Sequence, residues 1–267
     1  MRPLIDGDIF CWEISSAANV GWNGETPKEE WEVPPWEYVK GLVDTRLLQL
    51  CSEAGGDEDP LIFLSGENNF RYNIYPEYKA NRVTEKPFHH KNIKVHFQGM
   101  YDTKVIEGIE ADDALSIEQC KALDRCEETI ICSRDKDLRM VPGWHYSWEI
   151  GNQPSWGPCY VCDPGYITLI RKSKSAKVEG TGLMWFYAQM LMGDKATDNI
   201  PGLPKVGPVK AYKILEGAYD ADEALERVYE QYHCHYGNKA EEKLQLMGQL
   251  LWMIRETNEQ GPVMWQI

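Results

Sequence analysis

Nine carboxylates fall in four short clusters, and each cluster closes an apolar run. Asp6 ends "PLID" near the start of the chain, with Asp8 two residues on. "IEADD" brings Glu110, Asp112 and Asp113 after "TKVIEG", and "RDKD" brings Asp135 and Asp137 directly after "ETIICS". "GDKATDN" sets Asp194 and Asp198 at the end of "LMWFYAQMLM". Taken singly, acids at helix starts have an ordinary use, since they stabilise the macrodipole by roughly 0.3–1 kcal/mol. Four clusters at four converging ends are harder to explain that way, because so many anions repel at low effective dielectric unless cations sit between them. Oxygen ligands without a dedicated His/Cys set point to Mg²⁺ or Mn²⁺ rather than zinc. Two such ions can clamp an attacking water and a leaving phosphate oxygen, which reads as two-metal phosphodiester hydrolysis.

The elements that must position these acids are legible as an alternation. "PLIDGDIF", "LIFLSG", "TKVIEG" and "ETIICS" read as buried strands separated by helical stretches, the pattern of an α/β fold with a central, mostly parallel sheet flanked by helices. In such sheets ligands collect beyond the carboxyl ends of the strands, where the acids stand. A helix is expected over about 36–54, stopped by Gly55 and Gly56. "WHYSWEI" and "YITLI" are expected as antiparallel edge strands or a hairpin, with Cys159 and Cys162 of "CYVC" between them. After about residue 180 the pattern turns helical, ending in helices near 221–235 and 238–256. Pro201, Gly202, Pro204, Gly207 and Pro208 stiffen one short turn beside Asp194 and Asp198, which a mere linker does not require.

The chain has 267 residues, enough for one large α/β domain or a main domain with a helical appendage. No run approaches the roughly 20 apolar residues that span a bilayer, and the N-terminus meets an acid at Asp6, so a cytoplasmic protein is expected. The eight cysteines are scattered, and buried thiols are the ordinary reading in a reducing compartment. A zinc site at Cys159 and Cys162 lacks a second CxxC, and "HCH" at 233–235 is a weak substitute. The net charge of −14 argues against a generic DNA-coating protein. Locally the balance reverses: residues 71–104 carry seven Lys/Arg against three Asp/Glu, and "RKSKSAK" at 171–177 carries four positive charges.

"IEADD", "SRDKD", "GDKATDNIPGLPKVG" and "YPEYKANR" (75–82) together resemble the flap endonuclease/5′-3′ exonuclease family, which includes the 5′-nuclease domain of bacterial DNA polymerase I and the stand-alone bacteriophage exonucleases. The match runs from Asp6 to about Leu215, and the phage-type enzymes are the nearest comparison. The resemblance implies a PIN-like 5′-nuclease fold, with a nuclease core over 1–180 and a helical arch near 75–100. A helical region over 181–267, packed on the core, would carry a helix-two-turn-helix near 191–215. By position, Asp6, Glu110, Asp112, Asp113, Asp135, Asp137, Asp194 and Asp198 match the family's metal-ligand acids. Lys79 and Arg82 match the arch-base residues that hold the scissile phosphate, with Tyr78 packed nearby and Arg71 at the start of the basic segment. Three apart, Lys79 and Arg82 would share one helix face and stabilise charge growing on the phosphate. The amides of Gly202 and Gly207, with Lys205 and Lys210, would grip duplex phosphates without reading sequence.

The activity implied is Mg²⁺-dependent 5′→3′ exonuclease and structure-specific endonuclease cleavage of DNA at flaps, nicks and duplex ends, by a monomer using two ions. RNA in RNA/DNA hybrids is a further substrate the family allows, and K⁺ a further ion at the helix-two-turn-helix. Three departures stand out. Asp194 and Asp198 are separated by three residues where the family shows "GDxxD". Lys205 stands where glycine is usual, and Ser65 stands where an Asp is expected before the arch, with Glu67 the nearest acid, which leaves one metal site either poorer or rebuilt around Glu67. A PIN-type ribonuclease would share the acids but lack "DNIPGLPKVG"; a silent DNA-structure binder would lose acids; a small-phosphate hydrolase would not need the basic segments.

Overall fold

The computed structural model describes residues 1–82, 85–173 and 175–267. In chain order its elements begin with β1 (Arg2–Asp6), α1 (Gly7–Asn23), α2 (Trp36–Glu53), β2 (Leu61–Ser65) and the single turn α3 (Arg71–Ile74). They continue with α4 (His90–Met100), β3 (Asp102–Ile106), α5 (Ala111–Asp124), β4 (Thr129–Cys132), β5 (Gly143–Ser147) and β6 (Trp156–Val161). The remainder is β7 (Tyr166–Lys172), β8 (Ser175–Thr181), α6 (Gly182–Met192), β9 (Gly193–Asp194), β10 (Ile200–Pro201), α7 (Pro208–Leu215), α8 (Ala221–Tyr236) and α9 (Ala240–Leu251), followed by a last short strand pair, β11 (Thr257–Asn258) and β12 (Gly261–Pro262). The chain divides into two compact units. The first is Met1–Glu67, Thr84–Arg134 and Trp144–Cys159; the second is Asn68–Val83, Asp135–Gly143 and Tyr160–Ile267.

The first unit is built on a six-stranded sheet of order β3-β2-β1-β4-β5-β6, in which β3, β2, β1, β4 and β5 pair in parallel. Alternation sends Ile5, Ile62 and Leu64 to one face, where they join Phe10 of α1, Val43 and Leu47 of α2, and Ile93 and Phe97 of α4 in one buried cluster. α5 packs on β1, β2, β3 and β4. Strand order reverses between β1 and β4, the switch point at whose carboxyl end open α/β sheets take their ligands. Asp6 is the last residue of β1 at that point. Gly7 follows because a Cβ there would lie 2.7 Å from the Phe63 carbonyl oxygen, so only glycine lets α1 start hard against β2.

In the second unit, α6 runs into the β9–β10 pair, which closes a tight loop with Ile200 opposite Asp194 and Pro201 opposite Gly193. Gly202 is required by this closure, since a Cβ there would stand 2.1 Å from the Met192 carbonyl oxygen. α7 then opens with Pro208 at its first turn, which suits a residue lacking an amide hydrogen. The β7–β8 hairpin packs on α6 and α7, and α8 and α9 pack on α6.

Three expectations are corrected. β5, from "WHYSWEI", pairs in parallel with β4 as part of the main sheet, while "YITLI" pairs antiparallel with the following strand β8. Cys159 lies on β6, the neighbour of β5 in the sheet, and Cys162 just beyond it. Within the expected arch region the described helix is His90–Met100, and it is a core helix whose Phe97 ring lies 5.6 Å from Phe10. Residues 75–82 form turns, with Lys79 at φ 54°, so Lys79 and Arg82 share no helix face. Positions 83, 84 and 174, the last within the basic run at 171–177, lie outside the described residues.

Arg71, expected to touch substrate, is entirely buried. Its Nε donates to the Leu250 carbonyl at 3.0 Å and its Nη2 to the Trp252 carbonyl at 2.8 Å, so it ties α3 to the end of α9. A guanidinium suits this task because its fixed fork satisfies two diverging carbonyls that a helix end leaves unpaired. Arg71→Met leaves those acceptors unpaired, an expected cost of about 3 kcal/mol, and a fall in Tm of several degrees. Nucleic-acid affinity, measured below the transition, should stay within about twofold of wild type; a larger loss at unchanged Tm would return Arg71 to the substrate surface.

Candidate functional site

In the first unit the acids sit where strands hand over to helices. Asp6 caps α1, accepting from the Ile9 amide at 3.1 Å with one oxygen and from the Ser133 hydroxyl at 2.6 Å with the other. Asp8, in the first turn of α1, accepts from the Ser65 amide at 2.8 Å and from the Lys94 ammonium at 2.5 Å. The Ser65 hydroxyl accepts from the Ala111 amide at 3.0 Å, which anchors the start of α5. Serine thus acts as a hydrogen-bonding post at the position where an Asp was expected. The carboxylate beside it is that of Asp8, while Glu67, the expected replacement, is exposed with its amide on Glu107. Glu110 and Asp113 form a reciprocal capping box at the start of α5, with the Glu110 amide 3.1 Å from Asp113 Oδ2. Asp112 lies between them in the first turn, half-buried.

The second unit gathers its acids around a lysine. Asp135 accepts from the Asp137 amide at 2.8 Å, folding "RDKD" into a tight turn that carries Lys136 at its centre. Lys136 Nζ lies 2.5 Å from Asp194 Oδ2 and 3.4 Å from Asp137 Oδ1. α6 holds this arrangement with two side chains one turn apart. Trp185 Nε1 donates to the Lys136 carbonyl at 3.1 Å, and Gln189 Nε2 donates to Asp137 Oδ1 at 2.5 Å. The second oxygen of Asp194 accepts from the Thr197 amide at 3.0 Å.

The charges respond accordingly. Burial, then the Asp135 charge, pushes the Asp137 carboxyl up to about 7, with Lys136 opposing. Burial pushes Asp194 upward most, but the hydrogen bond and charge of Lys136 together with the Thr197 hydrogen bonds outweigh it and hold that carboxyl below the usual range. Burial works against the Lys136 ammonium too, yet Asp137 and Asp194 overcome it and raise its pKa. The donor set is therefore oxygen-rich and strongly anionic, with an ammonium standing at the oxygens a divalent cation would use. No group of three or more His, Cys, Asp or Glu side chains close enough to hold a metal ion occurs among the described residues. The fit to divalent cations rests on the donor chemistry.

Around the same loop, Tyr78 donates its hydroxyl to Asp198 Oδ2 at 3.0 Å and Arg82 Nη2 donates to Asp198 Oδ1 at 2.7 Å. Lys79 Nζ lies 4.0 Å from Asp198 Oδ2. Lys205 and Lys210 are exposed, and Gly207 is the exposed N-cap of α7. Lys205 has φ 62°, the left-handed conformation that glycine adopts freely, which explains how a lysine takes up the turn where glycine is usual. Sequence reasoning missed Lys94 and Lys136 as partners of the acids. The signal available was their placement, Lys136 between two Asp and Lys94 on the buried face of an amphipathic helix.

No protein-family model matches the chain. A 5′-3′ exonuclease of Buchnera aphidicola subsp. Schizaphis graminum is 29% identical over 219 residues, covering 80% of this chain and 69% of that protein. Flap endonuclease Xni of Shewanella woodyi is 25% identical over 67% of this chain and 68% of its own length. DNA polymerase I of Pseudomonas aeruginosa is 26% identical over 72% of this chain, which spans only 20% of that much longer protein. Among solved structures, the zinc-bound T5 5′-exonuclease aligns over 94% of this chain and 100% of its own with a TM-score of 0.54 at 13% identity. The T5 D15 flap endonuclease complex with DNA and metal ions aligns over 94% and 98%, with a TM-score of 0.53 at 12% identity. The chain is thus similar in sequence to proteins named 5′-3′ exonuclease, flap endonuclease and DNA polymerase I, over 80% of its length in the first case, and shares the fold of the T5 5′-exonuclease over 94% of it.

Proposed function

We propose that the chain is a divalent-metal-dependent nuclease, hydrolysing phosphodiesters of DNA as a 5′→3′ exonuclease and as an endonuclease at flaps, nicks and duplex ends, with RNA in hybrids as a secondary substrate and Mg²⁺ or Mn²⁺ as the ion. The observation that carries this reading is the composition of the second unit. Half-buried Asp135 and buried Asp137 and Asp194 accompany the cationic segment Tyr78–Arg82 and the exposed Lys205 and Lys210 at the turn and first residues of α7. Acids for cations and cations for phosphates are the two requirements of metal-assisted phosphodiester cleavage.

The proposed ligands are Asp6, Glu110, Asp112 and Asp113 of the first unit, joined there by Asp8, and Asp135, Asp137 and Asp194 of the second. Two divalent ions held by such oxygens would activate the attacking water and neutralise the leaving oxygen. The chain's own residues do the rest. Lys79 and Arg82 bind the scissile phosphate and stabilise charge as it grows, while Tyr78 backs Lys79, whose ammonium lies 4.8 Å from the ring centre. Lys205 and Lys210 grip duplex phosphates by charge alone, with the Gly207 amide beside them at the start of α7. The Lys205 ammonium also disfavours a K⁺ ion at that turn.

Digestion of 5′- and 3′-labelled flap, nicked and blunt duplexes, with Mg²⁺ and with EDTA, tests the reading. Products should come from the 5′ side and only with Mg²⁺; release from the 3′ end, or equal activity in EDTA, overturns it. Asp112→Ala and Asp135→Ala should each lower turnover roughly a hundredfold or more while remaining folded. Lys79→Ala and Arg82→Ala should lower the single-turnover rate more than affinity, because their charge matters most in the transition state.

Asp137 supplies a pH test of the metal-free protein. Its folded pKa, raised to about 7, exceeds the unfolded value near 3.8, so the folded state binds the extra proton. Stability from this group is therefore greatest below about pH 4 and declines as pH rises through 7. In EDTA, Tm should fall between pH 5 and pH 7.5, and Asp137→Asn should flatten that fall. An unchanged slope in the variant would show that another group titrates.

A further inference from the structure

Asp198 is one residue further from Asp194 than the "GDxxD" spacing of the family, and the longer loop faces the segment at 75–82. Four successive carbonyls of that loop meet the segment. Asn81 Nδ2 donates to the carbonyls of Lys195 and Ala196 at 3.2 and 3.1 Å, Arg82 Nε to that of Thr197 at 3.2 Å, and the Lys79 amide to that of Asp198 at 2.9 Å. Asn199 completes the seam from the other side, its Nδ2 donating to the Glu77 carbonyl at 2.9 Å.

The Asp198 carboxylate sits at the centre of this seam. One oxygen accepts from the Arg82 guanidinium, the other from the Tyr78 hydroxyl with the Lys79 ammonium at 4.0 Å, and the side chain is only 13% exposed. A cation stands at each Asp198 oxygen, whereas Asp194 meets Lys136 at one oxygen and the neutral Thr197 amide at the other, so an ion drawing on either Asp198 oxygen is repelled at close range. Arg82 by contrast keeps half of its side chain in solvent, so it can face a phosphate while Asp198 holds its other edge.

We propose that Asp198 is a positioning residue, whose carboxylate orients Lys79 and Arg82 toward the scissile phosphate and does not ligate a divalent ion. The proposal rests on the nuclease reading for its phosphate, but its geometry does not. A residue acting this way fixes the cations through two hydrogen bonds, and its loss is felt through them. Removing Asp198 and removing Arg82 then damage the same arrangement, so their effects overlap.

The test combines three measurements on Asp198→Ala, Asp198→Asn and Arg82→Ala, with Asp194→Asn as the comparison. Calorimetric titration with Ca²⁺ should give affinity within threefold of wild type for both Asp198 variants, and a larger loss for Asp194→Asn. A loss beyond threefold at Asp198 makes it a ligand and overturns the proposal. Single-turnover cleavage of a flap with Mg²⁺ should fall about tenfold in Asp198→Ala with DNA affinity nearly unchanged, and less in Asp198→Asn, which keeps an acceptor oxygen. The Asp198→Ala/Arg82→Ala double variant should be no slower than the slower single variant, and additive losses overturn the proposal. The same pair should be non-additive in the Tm of the metal-free protein, a readout independent of activity. If wild type neither binds Ca²⁺ nor cleaves, the nuclease reading fails, and the Tm cycle alone then decides whether Asp198 clamps Arg82.

Discussion

The Lys136 ammonium, seated against Asp194 and Asp137, is the interaction on which the second unit depends. Taking a carboxylate out of water costs several kcal/mol unless a cation or several hydrogen bonds replace the lost hydration. Asp194 and Asp137 are both nearly buried, so something must stand against them in the absence of other cations. Lys136 does so from within the acid motif itself. Much of the local structure serves to keep it there. The Asp135 turn presents it, the Trp185 indole fixes its carbonyl, and Gln189 takes up one Asp137 oxygen. α6 is apolar nearly all round because it is the buried spine that carries Trp185 and Gln189 to this point.

The first unit meets the same constraint with different means. Its acids are caps. Asp6 on α1 and the Glu110–Asp113 box on α5 turn helix amides toward carboxylates, which both starts the helices and lowers the cost of burying the acids. Asp8 takes a lysine, Lys94, reached from α4. The helix-start explanation and the ligand explanation of these residues are therefore compatible. A carboxylate has about four lone-pair sites on its two oxygens, so serving as a cap does not by itself exclude serving as a ligand.

What could be read from the sequence divides along physical lines. β1, β2 and β4 were legible because parallel strands buried on both faces leave continuous apolar runs, while β3, read as a buried strand, is an edge strand with no buried residue; the acid clusters were legible because they interrupt those runs. β8 was not, since "SAKVEGT" holds a single large apolar residue, Val178, and becomes a strand only by pairing with β7. β1 was read too long because Gly7 and Asp8 look like a turn, whereas Gly7 is the close approach that lets a helix start at once. Arg71 was misread for a related reason. An arginine beside a basic segment looks like surface, and its burial follows from carbonyls at Leu250 and Trp252, far along the chain. Lysines within acidic motifs were overlooked because a sequence shows their charge but not which carboxylate they neutralise.

The same distinction resolves the apparent mismatch between a chain of net charge −14 and the polyanionic substrate proposed for it. At physiological salt, potentials are screened beyond about 8 Å, so a phosphate responds to the groups it touches and not to the molecular total. Cations in this chain are of two kinds. Lys94 and Lys136 are consumed by internal acids and contribute little to an approaching phosphate. Lys205 and Lys210 stand exposed on the turn before α7 and at its first residues, where the helix N-terminus adds its own partial positive charge. Arg82 belongs to both kinds, bound to Asp198 yet half in solvent. Acids thus gather where hard cations would be held, and cations such as Lys205 and Lys210 stand exposed, a division of charge that suits the metal-dependent action on a phosphate backbone proposed above.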